Sequence, residues 1–131
     1  MADARPTDLE LQVLSVLWDR GESTVREVLQ ELPDGKARAY TTVLTILQLM
    51  EKKGLVGHTR QGLTYVYRAA VDRERVVAPV VRSLLQNVFG GDPSAVVQSL
   101  LDCGGVDPEQ LKEIRRIINA AARKTREEDE A

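Results

Sequence analysis

Apolar residues recur at helical spacing from Leu9 to Trp18. Leu9, Val13, Val16 and Leu17 form one stripe, and Leu14 and Trp18 widen it. Thr7 or Asp8 is placed to cap this stretch, and Gly21 to stop it. A second helix is predicted in "STVREVLQELP". Thr24 and Glu27 make a T-x-x-E capping box, Val25, Val28, Leu29 and Leu32 are apolar, and Pro33 ends the run. "DGKAR" reads as a loop. The third helical stretch, "AYTTVLTILQLMEKKGLV", closes at Gly54 behind Lys52 and Lys53.

The period then drops to two. Val56, His58 and Arg60 alternate, as do Leu63, Tyr65 and Tyr67 with Thr64 and Val66, which predicts a hairpin around Gln61-Gly62. Beyond Asp72 the pattern is helical again. Val76, Val77, Val80, Val81, Leu84, Leu85 and Val88 fill a fourth helix, in which Pro79 predicts a kink or an early break. "GGDPSAVVQSLLDCGG" is a short helix capped by Asp92, opened by Pro93 and stopped at Gly104. "VDPEQLKEIRRIINAAARK" repeats the Asp-Pro start, with Leu111, Ile114, Ile117, Ile118 and Ala121 as its apolar set. The charged end from Thr125 is expected to fray.

The fold class is therefore mainly α with a small β-hairpin. A winged helix-turn-helix is expected over residues 1–71, a helical dimerisation lobe over 72–124 and a disordered tail over 125–131. The second lobe together with the tail has about 60 residues and few aromatics, too little to bury a full core alone. Its apolar residues exceed what one short helical pack needs, which predicts a second copy as partner. Val77, Val80, Val81, Leu84, Val88, Leu111, Ile114, Ile117 and Ile118 are the expected interface.

The third helix sorts its side chains by face. Val43, Leu47 and Met50, flanked by Tyr40 and Ile46, point one way. Thr41, Thr45, Gln48 and Lys52 point the other way, with Thr42 at the edge and Lys53 near it. Leu49 lies beside this face and is expected to be partly exposed. A face built only for solvation favours Glu, Lys and Arg pairs. Short hydroxyls suit close approach, and Thr and Gln can meet base edges in a major groove. The competing role for Thr41 or Thr42 is a simple helix cap. At the hairpin tip, Arg60, Gln61 and Gly62 can probe a nucleic-acid backbone.

Charge sharpens this reading. The 131 residues carry a net charge of −2, with 18 basic and 20 acidic side chains. Between Gly35 and Arg68, however, Lys36, Arg38, Lys52, Lys53, Arg60 and Arg68 face a single acid, Glu51. Acids gather instead at Asp3, Asp8, Glu10, Asp19, Glu22 and in the tail. A locally basic segment in a mildly acidic chain implies a directed anionic partner. Lys36, Arg38 and Tyr40, where the third helix begins, join the candidate DNA-contacting set.

Other chemistry is thin. One cysteine, Cys103, and one histidine, His58, leave no multi-ligand metal site of that kind within one chain, and no cofactor is expected. No Gly-rich phosphate loop, Cys–His pair or paired carboxylates suggest an enzyme. Cys103 is expected to be a small buried apolar residue and His58 a strand surface residue. "MADARPTD" lacks an apolar leader and no run nears the ~20 apolar residues of a membrane span, so a cytoplasmic location is expected. The alternative function is a winged helix that binds a protein through its Thr face.

The first lobe resembles one family specifically. "TDLELQVLSVLWDRGESTVREVL" and "AYTTVLTILQLMEKKGLVGHTRQGLTYVYRA" are similar to the penicillinase-repressor family of the BlaI/MecI type. The resemblance implies a homodimeric repressor of antibiotic-resistance genes on a palindromic operator of double-stranded DNA. It implies that the helix from Tyr40 enters the major groove, with Thr41, Thr42 and Thr45 on bases or phosphates and Arg60 on the wing. It further implies that Ser23 and Thr24, starting the second helix, meet phosphate. In such relatives a membrane-bound sensor protease releases the repressor through a cut in the dimerisation lobe. Copper-responsive relatives use a cysteine cluster that Cys103 alone cannot form. Leu49 departs from the polar residue often found there.

Overall fold

The structure is a computed structural model describing residues 5–130. Asp3, the first half of "MADARPTD" and the last residue of the tail lie outside the described residues.

Helix α1 (Asp8–Arg20) begins with a reciprocal cap. The Thr7 hydroxyl accepts from the Glu10 N–H at 3.1 Å, and the Thr7 N–H donates to the Glu10 carboxylate at 3.0 Å. Gly21 ends α1 at φ 89°, its N–H returning to the Leu17 carbonyl. A two-residue strand follows, β1 (Ser23–Thr24), before α2 (Val25–Glu31). Thr24 is both a strand residue and the N-cap of α2, where the expected box with Glu27 is formed. Helix α3 (Tyr40–Lys52) leads to β2 (Val56–Gln61) and β3 (Thr64–Ala69).

The strands form an antiparallel sheet of order β1-β3-β2. Ser23 pairs with Tyr67 and Thr24 with Val66, while Gln61 pairs with Thr64 across the wing. Gly62 and Leu63 thus make a two-residue turn, and Gly62 supplies the left-handed φ of 66° that it needs. Three helices and the sheet enclose one core. Leu14 and Leu17 of α1, Val25 and Val28 of α2, Val43, Leu47 and Met50 of α3, Val56 and Tyr67 are all buried in it.

The chain divides into two compact units, Met1–Val80 and Val81–Ala131. The boundary falls inside α4 (Arg73–Asn87) rather than at Asp72. The start of α4 belongs with the first unit for a physical reason. Trp18 donates from its indole Nε1 to the Val71 carbonyl at 2.9 Å. Arg73 reaches Asp19 at 2.5 Å and lies over the Trp18 ring, and Val76 packs on the core. Pro79 sits within α4 without ending it.

The second unit contains the rest of α4, α5 (Pro93–Asp102) and α6 (Pro108–Glu130). Asp92 caps α5 through the Ser94 N–H, with Pro93 at the first position. Asp107 and Gln110 form a reciprocal box at the start of α6. Two expectations fail here. The charged end does not leave the helix at Thr125, because α6 continues to Glu130. Its residues after Pro108 include no Gly or Pro, and Ala120–Ala122 and the Arg, Lys and Glu that follow are mostly strong helix formers. Cys103 is exposed rather than buried, since it caps α5 next to the turn at Gly104.

Candidate nucleic-acid interface

Helix α3 presents its two faces as the 3.6-residue period demands. Val43, Leu47 and Met50 are buried, and Thr41, Thr42, Thr45, Gln48, Leu49 and Lys52 are exposed. The N-cap is Ala39, which makes no side-chain cap bond. Capping therefore explains neither Thr41 nor Thr42. Among the described residues, no side chain of the Thr41–Thr45–Gln48–Lys52 stripe hydrogen-bonds to another part of the protein. The stripe carries free donors and acceptors, and the uncapped N–H groups of α3 lie at its head, where negative charge is favoured.

Tyr40 does not flank the core as its position suggested. It is 44% exposed, and the Arg26 guanidinium lies 5.8 Å above its ring. Thr24, Val25, Arg26, Tyr40 and Thr64 line a surface cavity of about 430 Å³ between α2, α3 and the wing. Arg26 was outside the basic segment between Gly35 and Arg68, so charge counting passed over it. Its signal was its place on α2, between buried Val25 and the capping Glu27.

The wing is fixed to the far end of α3 by a polar cluster. His58 Nδ1 lies 2.7 Å from the Glu51 carboxylate. The imidazole meets the Tyr65 ring edge-on at 5.1 Å and the Tyr67 ring at 5.3 Å. Burial first, and the nearby Glu51 charge second, push the Tyr67 phenol above its ordinary pKa. Arg60 folds back to brace the tip, its Nε donating to the Gly62 carbonyl at 3.0 Å. Gln61 is exposed beside it, and Leu63 projects from the turn at 94% exposure.

The remaining candidates separate by what already holds them. Ser23 is fully buried and donates to the Gly21 carbonyl, so it has nothing to offer a phosphate. The Thr24 hydroxyl is committed to the α2 cap. Arg38 makes a two-pronged pair with Asp34 at 2.8 and 2.9 Å. That guanidinium, with the Lys36 N–H, holds Asp34 far below the usual carboxylate range. Lys53 bonds both oxygens of Glu10, at 2.8 and 3.0 Å. Burial alone would raise the Glu10 carboxyl, but Lys53 and the Thr7 N–H outweigh it and lower its pKa. Arg38 and Lys53 are thus neutralised locally. Arg26, Lys36, Lys52, Arg60 and Arg68 hold no salt bridge among the described residues, so their charges are uncompensated. Lys52 is on the stripe itself, Arg26 on α2 and Arg60 on the wing, while Arg68 pairs with Gly57 on the sheet face away from His58 and α3.

The expected dimer residues lie on α4 and α6. Val81, Leu84, Val88, Leu111, Ile117 and Ile118 are between 41% and 66% exposed, and Val77, Val80 and Ile114 are half-buried. None of α4, α5 or α6 contributes a buried residue.

The sequence pattern of the penicillinase repressor family matches residues 6–120, which takes in both units. The chain belongs to the penicillinase repressor family. A member of the family from Bacillus licheniformis, the penicillinase repressor, is 26% identical over 112 residues, covering 86% of this chain and 88% of its own. The transcriptional regulator BlaI of Mycobacterium tuberculosis is 36% identical over 102 residues, covering 76% and 74%. Among solved structures, Bordetella bronchiseptica BpsR superposes with a TM-score of 0.51 at 18% identity, over 92% of this chain and 77% of that one, a likeness of fold. No helix among the described residues is long and apolar enough to cross a membrane.

Proposed function

We propose that this protein is a sequence-specific transcriptional repressor that binds duplex DNA as a homodimer. The observation that carries the proposal is the unbonded stripe of Thr41, Thr45, Gln48 and Lys52 on an uncapped helix, with unpaired Arg26 on α2 and Arg60 on the wing. Helix α3 enters the major groove, where the threonines and Gln48 meet base edges and Lys52 a phosphate. Arg26, Lys36 and Arg60 contact the backbone and set position and register. The relatives named penicillinase repressor and transcriptional regulator support the same reading.

The exposed valines, leucines and isoleucines of α4 and α6 supply the contact between two copies. Helix-turn-helix dimers read half-sites about one helical turn apart or a multiple, so the operator is a pseudo-palindrome. Joining two lobes holds the second near its half-site at an effective concentration up to about millimolar. Any event that separates the helical units therefore lowers operator affinity without touching a DNA contact. Acting on the chromosome places the protein in the cytoplasm.

The test is the double substitution Thr41→Ala with Thr45→Ala. Both positions are exposed, so the fold and the dimer survive. Preference for the operator over scrambled duplex falls roughly tenfold or more. Undiminished discrimination in the double variant refutes the assigned face.

A further inference from the structure

One residue on the groove-facing side of α3 has no polar chemistry. Leu49 is 49% exposed. It lies about 40° around the helix from Thr45 and about 20° from Thr42, inside the exposed arc. Lys52 is one turn further on. A single exposed leucine is ordinary on a protein surface. This one stands beside the unbonded Thr42 and Thr45 and one turn from the unpaired Lys52, and the single acid of α3, Glu51, lies off this arc against His58. That is a poor setting for an apolar protein partner and a good one for a polyanion. The major-groove edges of the base pairs offer one apolar group, the C5 methyl of thymine.

Resting on the reading of α3 as the recognition helix, we propose that Leu49 is a specificity-determining residue that packs against thymine methyl groups in each half-site. The neighbouring Thr45 and Thr42 supply methyls of their own, so the three side chains form a small apolar floor edged by hydrogen-bonding groups. Discrimination then has two components. Gln48 and the hydroxyls read donors and acceptors, and Leu49 reads the methyl, which separates T·A from C·G at that step.

The test uses a duplex that the protein itself selects from a randomised pool. Each thymine in the footprint is replaced in turn by deoxyuridine, which removes only the methyl. Wild-type affinity falls roughly fourfold at one or two adjacent positions, the effect expected for one buried methyl. Leu49→Ala removes the contact in both half-sites, so it binds the thymine duplex roughly sixteenfold more weakly, about fourfold per half-site, and loses all sensitivity to uracil at those positions. Leu49→Met, which keeps an apolar contact, retains that sensitivity. A flat uracil scan in the wild type overturns the proposal, as does a Leu49→Ala variant that stays fully sensitive. Failure to select any duplex over scrambled DNA overturns the recognition-helix reading as well, whereas a selected duplex with a flat scan overturns only the role of Leu49.

Discussion

Removing Arg26 should flatten the salt dependence of operator binding by a calculable amount. Each phosphate neutralised by a cation contributes about −0.9 to the slope of log K against log salt. Arg26 is exposed and holds no ion pair among the described residues, so it brings a full charge to the DNA. Two protomers carry two copies, and Arg26→Ala makes the slope shallower by about 1.8. Over a fourfold rise in salt, the wild type then loses about twelvefold more affinity than the variant. The control comes from a cation that the protein has already neutralised. Arg38 is locked to Asp34, so Arg38→Gln together with Asp34→Asn removes no net charge and should leave the slope where it is. Fluorescence anisotropy of a labelled operator at a series of KCl concentrations measures both. An Arg26→Ala slope equal to wild type, or a double variant as flat as Arg26→Ala, refutes this assignment of free and spent charges.

Lys53→Met strands the largely buried Glu10 carboxylate and should destabilise the fold by about 1–3 kcal/mol in urea denaturation; no loss would mean that the pair is idle. The folded pKa of Glu10 is lowered, so its contribution is full above the unfolded value of 4.5 and fades as pH falls through the lower folded value. The stability gap between wild type and Glu10→Gln should accordingly close in acid, and a gap that widens there contradicts the sign. Ile117→Glu puts a charge on the proposed dimer face; sedimentation should give half the mass, with weakened operator binding, and an unchanged dimer removes Ile117 from the interface. Gly62→Val forces a β-branched residue to φ 66° and should lower stability by about 1–3 kcal/mol; an unshifted melting curve would mean that the turn relaxes freely.

Local signals carried most of the fold. The caps at Thr24 and Asp92, the glycines at Gly21, Gly54 and Gly62 and the change of period at Val56 act within a few residues, and each stands where expected. Strand β1 was not legible because two residues carry no periodicity, and its partners Tyr67 and Val66 lie far along the chain. The same pairing buries Ser23, which removes a residue that the family resemblance placed on DNA. The box between Thr7 and Glu10 was readable from its T-x-x-E spacing and was passed over. Exposure in the second unit was harder. The burial of Cys103 was inferred from residue type, and type says little at the end of a helix whose unit has few neighbours to offer.

The stripe on α3 also bears on how such a protein can change. Its side chains make no hydrogen bond to another part of the molecule among the described residues. Val43, Leu47 and Met50, with Leu44 and Ile46 beside them, pack on the core, and Glu51 and Lys53 tie α3 to the wing and to α1. Residues at 41, 45, 48, 49 and 52 can then be rewritten with little penalty in folding. A duplicated copy of this gene could drift to a new operator through exposed positions only, keeping its core intact at every intermediate step.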